Sequence, residues 1–363
     1  MDIEEDPPQN PAKRLKCSAC YKQYKKKESL IEHMKASYHS VHHPRCGVCQ
    51  KYCKSFESLR EHLFGPLPKG LCSKIFSEQG CRLCLTLFDS PRSLGEHRVT
   101  CRLSSPGFVP LGIYTMPYIG SQIDHRDSSN EDHPGAVALD CEMAGGGSDG
   151  SLDLCVRVCL VDEDENLLYH AYVQPPIPVT NYRHDITGIT EDDLRDARPL
   201  KEVKEKILQI LYNGESISKV RLDGGKARLL VGHALAHDLD CLKMNYPDHM
   251  LRDTAMYRPL MKTNFVSHSL KYLTRTYLGY DIQLGTHDPY EDSISAMRLY
   301  KRMRGQNHQE KNCGTLTSSN NFVGMSDGWK SKELDNLTPD ELFDMSKSDY
   351  KCWCLDLRPR LAA

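Results

Sequence analysis

The sequence lacks any long hydrophobic run and contains few aromatic side chains. Hydrophobic residues make up 39% of its 363 residues, aromatic residues 8%, and there are two tryptophans. No stretch approaches the roughly 18 apolar residues of a membrane-spanning helix. The start, Met1–Asp6, is too acidic for a secretory signal peptide. We therefore expect a soluble, intracellular protein without a membrane partner, built from one domain of roughly 150 to 200 residues plus accessory segments.

The small net charge conceals an asymmetry between the two parts of the chain. Residues 1–102 contain 18 Lys and Arg against 11 Asp and Glu, whereas the remainder contains 29 against 38, which gives +7 and −9. A basic segment attracts polyphosphate, and an acidic one attracts cations. This division predicts a nucleic-acid-binding amino-terminal part and a cation-dependent remainder.

The 16 cysteines are unevenly distributed, with nine between Cys17 and Cys101. In a reducing compartment such clustering indicates metal binding rather than disulfides. Three repeats share the pattern C-x2-C-x12-H, with apolar residues at matching inner positions. The predicted zinc ligands are Cys17, Cys20, His33 and His39, then Cys46, Cys49 and His62, then Cys81, Cys84, His97 and Cys101. The pattern predicts small ββα-type fingers that hold about three Zn²⁺ in total.

The middle repeat has no fourth ligand at the usual spacing. Cys72, ten residues beyond His62, is the best candidate. Cys53 is the alternative, but its position matches the apolar plug of the other repeats. We therefore favour Cys72 as ligand and a packing role for Cys53.

The first finger has features of RNA-binding fingers, since five residues separate its histidines, as in matrin-type fingers. Four lysines interleaved with tyrosines are predicted to contact nucleic acid: Lys22, Lys25, Lys26 and Lys27. A solvated charge run, or a finger that docks a protein, is the alternative. The basic run Pro11–Lys16 is a candidate import signal, so we expect a nuclear location, including the nucleolus, with the cytoplasm left open.

Acidic residues recur in three separated blocks from residue 136 onward. Asp140 and Glu142 follow a predicted strand and share one of its faces; Asp238 follows the predicted strand Leu229–Gly232; His287 precedes Asp292 by five residues. Paired carboxylates at the end of a buried strand repel one another unless a hard divalent cation lies between them. His287 has a pKa suited to a general base. His233 and His237 are assigned helix-start and packing roles.

The order D-x-E, H-A-L-x-x-D, H-x4-D resembles the DEDDh exonucleases of the DnaQ-like, RNase H-fold superfamily. The resemblance is strongest to the branch with the yeast-type ribosomal-RNA-processing, interferon-stimulated and apoptosis-enhancing nucleases. Matching runs at Thr187–Thr190, Leu251–Thr254 and Ser269–Leu273 support it. His237 stands where relatives usually have Asn, and Ser293 where they usually have Ala; neither change removes a ligand.

The resemblance implies an α/β fold with an RNase H-like, mixed five-stranded sheet flanked by helices. It also implies two Mg²⁺ or Mn²⁺ ions: Asp140, Glu142 and Asp292 hold one, Asp140 bridges to the second, and Asp238 completes the site. Substrate would enter by its 3′ end and leave as nucleoside 5′-monophosphates. The expected divisions are 1–12 acidic start, 13–102 fingers, 103–135 linker, 136–304 exonuclease domain, 305–336 flexible linker, and 337–363 short helix and Cys/Trp tail.

The sequence leaves three functions open. RNA is the expected substrate, as single-stranded 3′ ends, and DNA or both nucleic acids is the alternative, because a few contacts to the 2′-hydroxyl separate them. A nucleic-acid-binding scaffold with an inactive nuclease fold is the alternative of a different class. The fingers or the carboxy-terminal tail could bind a protein partner.

Overall fold

The computed structural model describes residues 15–16, 23–36, 44–51, 53–106, 135–306 and 352–357. The acidic start, residues 11–14 of the candidate import signal, most of the 103–135 linker and the short helix predicted within 337–363 lie outside these residues. Among the described helices, none combines the length and apolarity that a bilayer crossing requires.

A mixed sheet forms the centre of the protein. The strands of the chain are β1 (Leu15–Lys16), β2 (Gln23–Tyr24), β3 (Ala136–Gly146), β4 (Leu152–Asp162), β5 (Leu167–Gln174), β6 (Val179–Asn181), β7 (Arg198–Pro199), β8 (Leu229–Gly232) and β9 (Leu251–Asp253). The sheet order is β7-β5-β4-β3-β8-β9, and β6 pairs with β3. Strands β3, β4 and β5 are antiparallel, whereas β8 runs parallel to β3 and β9 parallel to β8.

The helices are α1 (Lys27–Ala36), α2 (Phe56–Phe64), α3 (Gly70–Gln79), α4 (Pro91–Cys101), α5 (His184–Thr187), α6 (Leu200–Tyr212), α7 (Ile217–Leu222), α8 (Leu235–Cys241), α9 (Leu270–Leu273) and α10 (Pro289–Arg304). A π-helix, Thr274–Leu278, continues α9. Helix α10 packs across β3, β4 and β8, and α6 packs against β5. Apolar residues of α10 such as Met297 and Leu299 are fully buried because this helix crosses the middle of the sheet.

The predicted α/β class with a mixed sheet and flanking helices is confirmed, and two details differ. The sheet has seven strands instead of five, because the short β6 and β7 attach to β3 and β5. The sequence pattern predicts a helix around Glu191 to Leu211, but α6 begins only at Leu200. A 3₁₀ turn at Asp192–Leu194 and the extended Arg198–Pro199 come first, and proline prevents the preceding residue from adopting helical geometry.

The second and third repeats pack directly on the exonuclease-like body. Phe56 of α2 makes an edge contact with Tyr277 of the π-helix, with ring centroids 6.0 Å apart. The Arg60 guanidinium lies 4.7 Å from the centre of the same tyrosine ring and donates to the Thr276 carbonyl at 3.1 Å. The Thr263 N–H donates to the Glu57 carboxylate at 2.8 Å. The second repeat therefore shares a core with the sheet domain, whereas Cys81, Leu94 and Cys101 of the third repeat form a separate buried cluster.

A carboxy-terminal segment, residues 352–357, packs on the same body from another direction. Trp353 is 5% exposed and stacks on Tyr257 with ring centroids 3.8 Å apart. Asp356 accepts two hydrogen bonds of 2.7 Å from the Arg252 guanidinium and one of 3.1 Å from the Tyr300 hydroxyl. The tail, expected to dock on an unknown target, contacts its own chain here. We call residues 352–357 the carboxy-terminal clasp.

Candidate active site

Strand β3 brings two of the predicted carboxylates to one face of the sheet. Its first four residues, Ala136–Leu139, are apolar and at most 3% exposed, which fixes this end of the strand in the core. Because side chains alternate along a strand, Asp140 and Glu142 project on the same side. Glu142 is 5% exposed and lies opposite Arg157 of β4, and the β3–β4 register shifts immediately after it.

Asp238 reaches β3 from the first turns of α8. The helix start is fixed by Asp253, whose carboxylate accepts the N–H groups of Ala234 at 2.8 Å and Leu235 at 3.0 Å. Ala234 has a φ of +62°, a strained value for a residue with a Cβ, so this turn depends on Asp253. Asp238 is 4% exposed and accepts the Cys141 N–H on its Oδ1 at 3.2 Å. The helix thereby places a third carboxylate beside β3.

Asp292 lies in the first turn of α10. The helix begins with Asp288 as N-cap and proline at the first position, a combination that favours initiation. Asp292 is 4% exposed, and its Oδ2 accepts the Gln283 side-chain amide at 2.8 Å. Within the described residues its buried Oδ1 has no hydrogen-bond partner. That oxygen remains available to a ligand.

The four carboxylates are electrostatically unfavourable for one another. Burial raises the pKa of Asp140 well above its ordinary value, and Asp292 and Asp238 add repulsion. Burial, followed by repulsion from Asp292, raises the pKa of Glu142 to about 8. Burial also raises the pKa of Asp238 to about 8 and that of Asp292 to about 7. Such a cluster of hard oxygen donors attracts divalent cations, which offset the repulsion.

A buried arginine borders the cluster. The Arg157 guanidinium donates to Asp288 Oδ1 at 3.0 Å through Nη2 and to His170 Nε2 at 2.9 Å through Nε. Its charge opposes the rise in the pKa of Glu142, and burial followed by Arg157 lowers the pKa of His170 to about 4. Arg157 thus links β4 to the turn that carries His287 and Asp288.

His287 is half-buried in that turn. Its backbone N–H donates to the Ile186 carbonyl at 2.6 Å. Burial lowers the pKa of its imidazole below the ordinary value; Lys271 acts in the same direction and Glu291 opposes it. His287 and Asp288 line a cavity of about 370 Å³ together with Arg157 and Tyr172. A neutral imidazole beside a solvent-accessible cavity can accept a proton.

The four carboxylates suit Mg²⁺ or Mn²⁺ bound partly by water and substrate, rather than an ion enclosed entirely by protein ligands. Asp140, Glu142, Asp238 and Asp292 supply only oxygen donors, and the Asp292 Oδ1 lacks another partner within the described residues. Mg²⁺ commonly keeps several waters and binds through a few carboxylates together with substrate phosphate.

The second and third repeats each assemble four ligand atoms. In the second, Cys46, Cys49, His62 and Cys72 meet, and Cys72 comes from α3, the helix after the one that carries His62. Cys49 Sγ lies 3.4 Å from His62 Nε2. Cys53 is not part of this group; it is 7% exposed in the core, and burial raises the pKa of its thiol to about 12.

The third repeat brings together Cys81, Cys84, His97 and Cys101. Cys84 Sγ lies 3.2 Å from His97 Nε2, and the sulfurs of Cys81 and Cys101 are 3.7 Å apart. Both four-ligand groups have the composition of structural zinc sites.

The first repeat is only partly described. Its β1–β2 hairpin and α1 follow the expected ββα order, and the ring of His33 stacks on Tyr24 at 5.0 Å. Cys17, Cys20, His39 and Lys22 lie outside the described residues. Lys25 and Lys26 are exposed, and Lys27 is the first residue of α1.

Two histidines near Asp238 behave differently. His233 Nδ1 lies 2.9 Å from Thr254 Oγ1, consistent with a structural role at the helix start. His237 is exposed on the first turn of α8, so its expected packing role is wrong. His237 directly precedes Asp238, and its side chain points to solvent because Leu235 and Leu239 occupy the buried face of this short helix.

Arg157, Asp253 and Gln283 support the site but do not belong to the motifs that identified it. Arg157 gave a signal, since it is a lone charge within the apolar strand Leu154–Val161. Asp253 lies in a run noted only for its resemblance to related nucleases. Gln283 gave no signal in the sequence, because its contact with Asp292 depends on the loop before α10.

Comparison with known proteins identifies a family that the sheet domain resembles. Residues 137–300 match the family model RNase_T, described as exonuclease. Together with the order and placement of the acidic motifs, this match shows that residues 137–300 are similar to exonuclease domains.

The curated relatives that it resembles are RNA exonucleases. RNA exonuclease 4 of Homo sapiens is 36% identical over 167 residues, which cover 46% of this chain and 36% of the human protein. The protein of that name from Xenopus tropicalis is 31% identical over 213 residues, 58% of this chain and 46% of the relative. The matched region thus spans less than half the length of these two relatives.

Among solved structures, the Saccharomyces cerevisiae Pan2 pseudoubiquitin hydrolase–RNA exonuclease module is similar to this chain. It has 24% identity and a TM-score of 0.39, and the match covers 49% of this chain and 29% of that one.

Proposed function

We propose that this protein is a divalent-metal-dependent 3′–5′ exonuclease that acts on single-stranded RNA ends and releases nucleoside 5′-monophosphates. The observation that carries the proposal is the convergence of four carboxylates from β3, α8 and α10, with pKa values raised by burial and, for Asp140 and Glu142, by repulsion from neighbouring carboxylates. The similarity of this chain to RNA exonucleases supports RNA as substrate.

Asp140, Glu142, Asp238 and Asp292 would hold two Mg²⁺ or Mn²⁺ ions. Such ions, when bound, stabilise the charge on the attacking and leaving oxygens of an in-line displacement. His287 accepts the proton of the attacking water, since its lowered pKa keeps the imidazole neutral near pH 7. Arg157 and Asp288 hold the His287 turn against β4 by their 3.0 Å ion pair.

The test compares matched single-stranded RNA and DNA, labelled at the 5′ end, with and without Mg²⁺ or Mn²⁺. We expect progressive shortening of the RNA from its 3′ end, 5′-monophosphate products, and no reaction in EDTA. Preferential shortening of DNA would reassign the substrate. A chain that binds RNA but never cleaves it would be a scaffold.

Asp140→Asn should reduce the rate at least about a thousandfold, because losing a cation removes several kcal/mol of charge stabilisation. The zinc content should stay the same, since the repeats use other ligands. Asp240→Asn is the matched control: it makes the same change on an exposed residue of α8. Near wild-type RNA degradation by Asp140→Asn in excess Mg²⁺ would refute the carboxylate assignment.

A further inference from the structure

A basic cavity lies where the third repeat meets the exonuclease domain. It has a volume of about 440 Å³ and is lined by Arg98, Val99 and Arg102 at the end of α4, by Leu103–Ser105, and by Gly279–Tyr280. Neither the zinc ligands nor the four carboxylates line it. It is therefore separate from both kinds of metal site.

Two arginines give the cavity its charge. Arg98 and Arg102 are four residues apart, so they occupy neighbouring positions at the end of α4, where two like charges repel. Within the described part of the chain neither has an acidic partner, whereas Arg92 of the same helix pairs with Glu96 at 3.1 Å. The stem of Arg102 lies against Gly279, where a Cβ would come within 2.9 Å of the Arg102 Cγ. An anion between the guanidinium groups would relieve their repulsion.

Favourable interaction with the helix dipole accounts for basic residues at the end of α4, but not for a cavity in front of them. A third positive charge lies close by, because Arg302 of α10 donates to the Cys101 carbonyl. Two nearby acidic groups are paired, Glu165 with Arg298 at 2.6 Å and Asp281 with Arg275 at 3.6 Å. A third, Glu291, accepts a hydrogen bond from Ser105 and contributes one negative charge against the three arginines. The net charge around the cavity is therefore positive.

The wall of the cavity is fixed and leads towards the active site. We call residues 103–106 the strap. The Leu103 N–H donates to the Leu278 carbonyl at 3.0 Å, Arg298 donates to the Ser104 carbonyl at 2.7 Å, and Ser105 Oγ donates to Glu291 at 2.9 Å. Pro106, the last residue of the strap, lines the cavity that contains His287. Four residues span at most about 11 Å between their first and last Cα atoms, so the two cavities are neighbours.

We propose that this cavity binds backbone phosphates of the substrate RNA a few nucleotides from the 3′ end that is being hydrolysed. This proposal rests on the exonuclease function proposed above. Arginine forms bidentate hydrogen bonds with phosphate, and two adjacent arginines suit the repeated charge of a single strand. The acidic centre repels a polyanion, and the basic cavity beside it compensates for that repulsion while the strand is positioned.

The test removes the two charges together. In an Asp140→Asn background, which prevents cleavage, Arg98→Gln/Arg102→Gln should weaken binding of a single-stranded RNA of about 20 nucleotides roughly tenfold at low salt. The slope of log K against log salt should become less steep by about 1.4, since each phosphate contact on a single strand contributes about 0.7. In the active chain, the ratio of kcat/KM for this RNA to kcat/KM for a dinucleotide should fall about tenfold.

Arg92→Gln is the matched control, because it removes the same charge from the same helix outside the cavity. The cavity is refuted if the double variant and Arg92→Gln give the same slope and the same substrate ratio. Arg98→Lys/Arg102→Lys checks for damage to the fold: it should retain the salt slope while binding less tightly. A wild-type chain that fails to degrade RNA in Mg²⁺ or Mn²⁺ would instead refute the exonuclease function, whatever the double variant binds.

Discussion

The sheet domain, residues 136–304, is contacted by segments that lie on both sides of it in the sequence, and they attach by different means. The second and third repeats bring four-ligand groups of their own. The second contacts the domain through Phe56, Arg60 and Glu57, and the third through the Cys101 carbonyl, which accepts from Arg302. The six-residue clasp has no such group and depends on a buried ion pair and one stacked tryptophan. A small module whose core is too small to fold by itself can be stabilised by zinc, whereas a segment this short must pack into the core of the neighbouring domain.

Both attachments meet on α10, the helix that begins beside the active site. Arg298 and Arg302 contact the strap and the end of the third repeat. Tyr300, on the same helix, donates to Asp356 of the clasp. Asp292, in the first turn, is therefore positioned by a helix whose later turns are held by residues outside 136–304. Disrupting either attachment should therefore disturb the position of Asp292 at the candidate active site and also lower the stability of the fold.

Removal of zinc from the second repeat is expected to have the largest effect. Cys72→Ala should lower the zinc content measured by elemental analysis from about three ions per chain to about two, because four ligands are needed for a structural site. The free energy of unfolding should fall by on the order of 5 kcal/mol or more, since the metal supplies most of the stability of so small a module.

Cys53→Ala is the matched control, with the same substitution in the same repeat. It should keep all the zinc and cost only about 1–2 kcal/mol, as expected for a small cavity in the core. Equal zinc loss in both variants, or full zinc in Cys72→Ala, would contradict the ligand set. It would also remove the proposed difference between the two attachments.

Breaking the clasp should have a smaller but still large effect. Arg252 and Asp356 have side chains only 5% and 2% exposed, so Asp356→Ala leaves a buried charge without its partner. We expect a loss of about 3–5 kcal/mol in urea unfolding of the full chain. Arg252→Met/Asp356→Leu, which removes both charges, should recover much of that loss.

The neighbouring Leu357→Ala is the control for the clasp. Leu357 is 45% exposed, so its truncation should change stability by no more than about 0.5 kcal/mol. If Asp356→Ala is no less stable than Leu357→Ala, the clasp does not contribute to the domain, and only the zinc-dependent attachment remains.

The features predicted from the sequence are those with local signals. Strand β8 spans the expected Leu229–Gly232 because four consecutive apolar residues bounded by a turn form a buried strand. The clasp contact was not predicted, since Arg252 and Asp356 are 104 residues apart and no periodic pattern links them. The sequence shows Arg157 as a lone charge in an apolar strand, but its pairing with Asp288 was not predicted, since the two are 131 residues apart. The ligand types were predictable, whereas the residues that orient them depend on tertiary packing.

The smallest expected effect concerns His287, which lies at the start of α10 but outside both attachments. Because burial lowers its pKa, kcat/KM should rise with pH through a limb below pH 6.5 and then level off as the imidazole becomes neutral. His287→Ala should lower kcat about a hundredfold and flatten that limb. His237→Ala, which removes an exposed histidine from α8, should retain both the limb and the rate.

The measurement is a pH–rate profile for RNA hydrolysis at saturating Mg²⁺ between about pH 5 and pH 8. A limb that persists in His287→Ala would assign the titrating base to another group, and the turn tethered by Arg157 would then serve only to start α10.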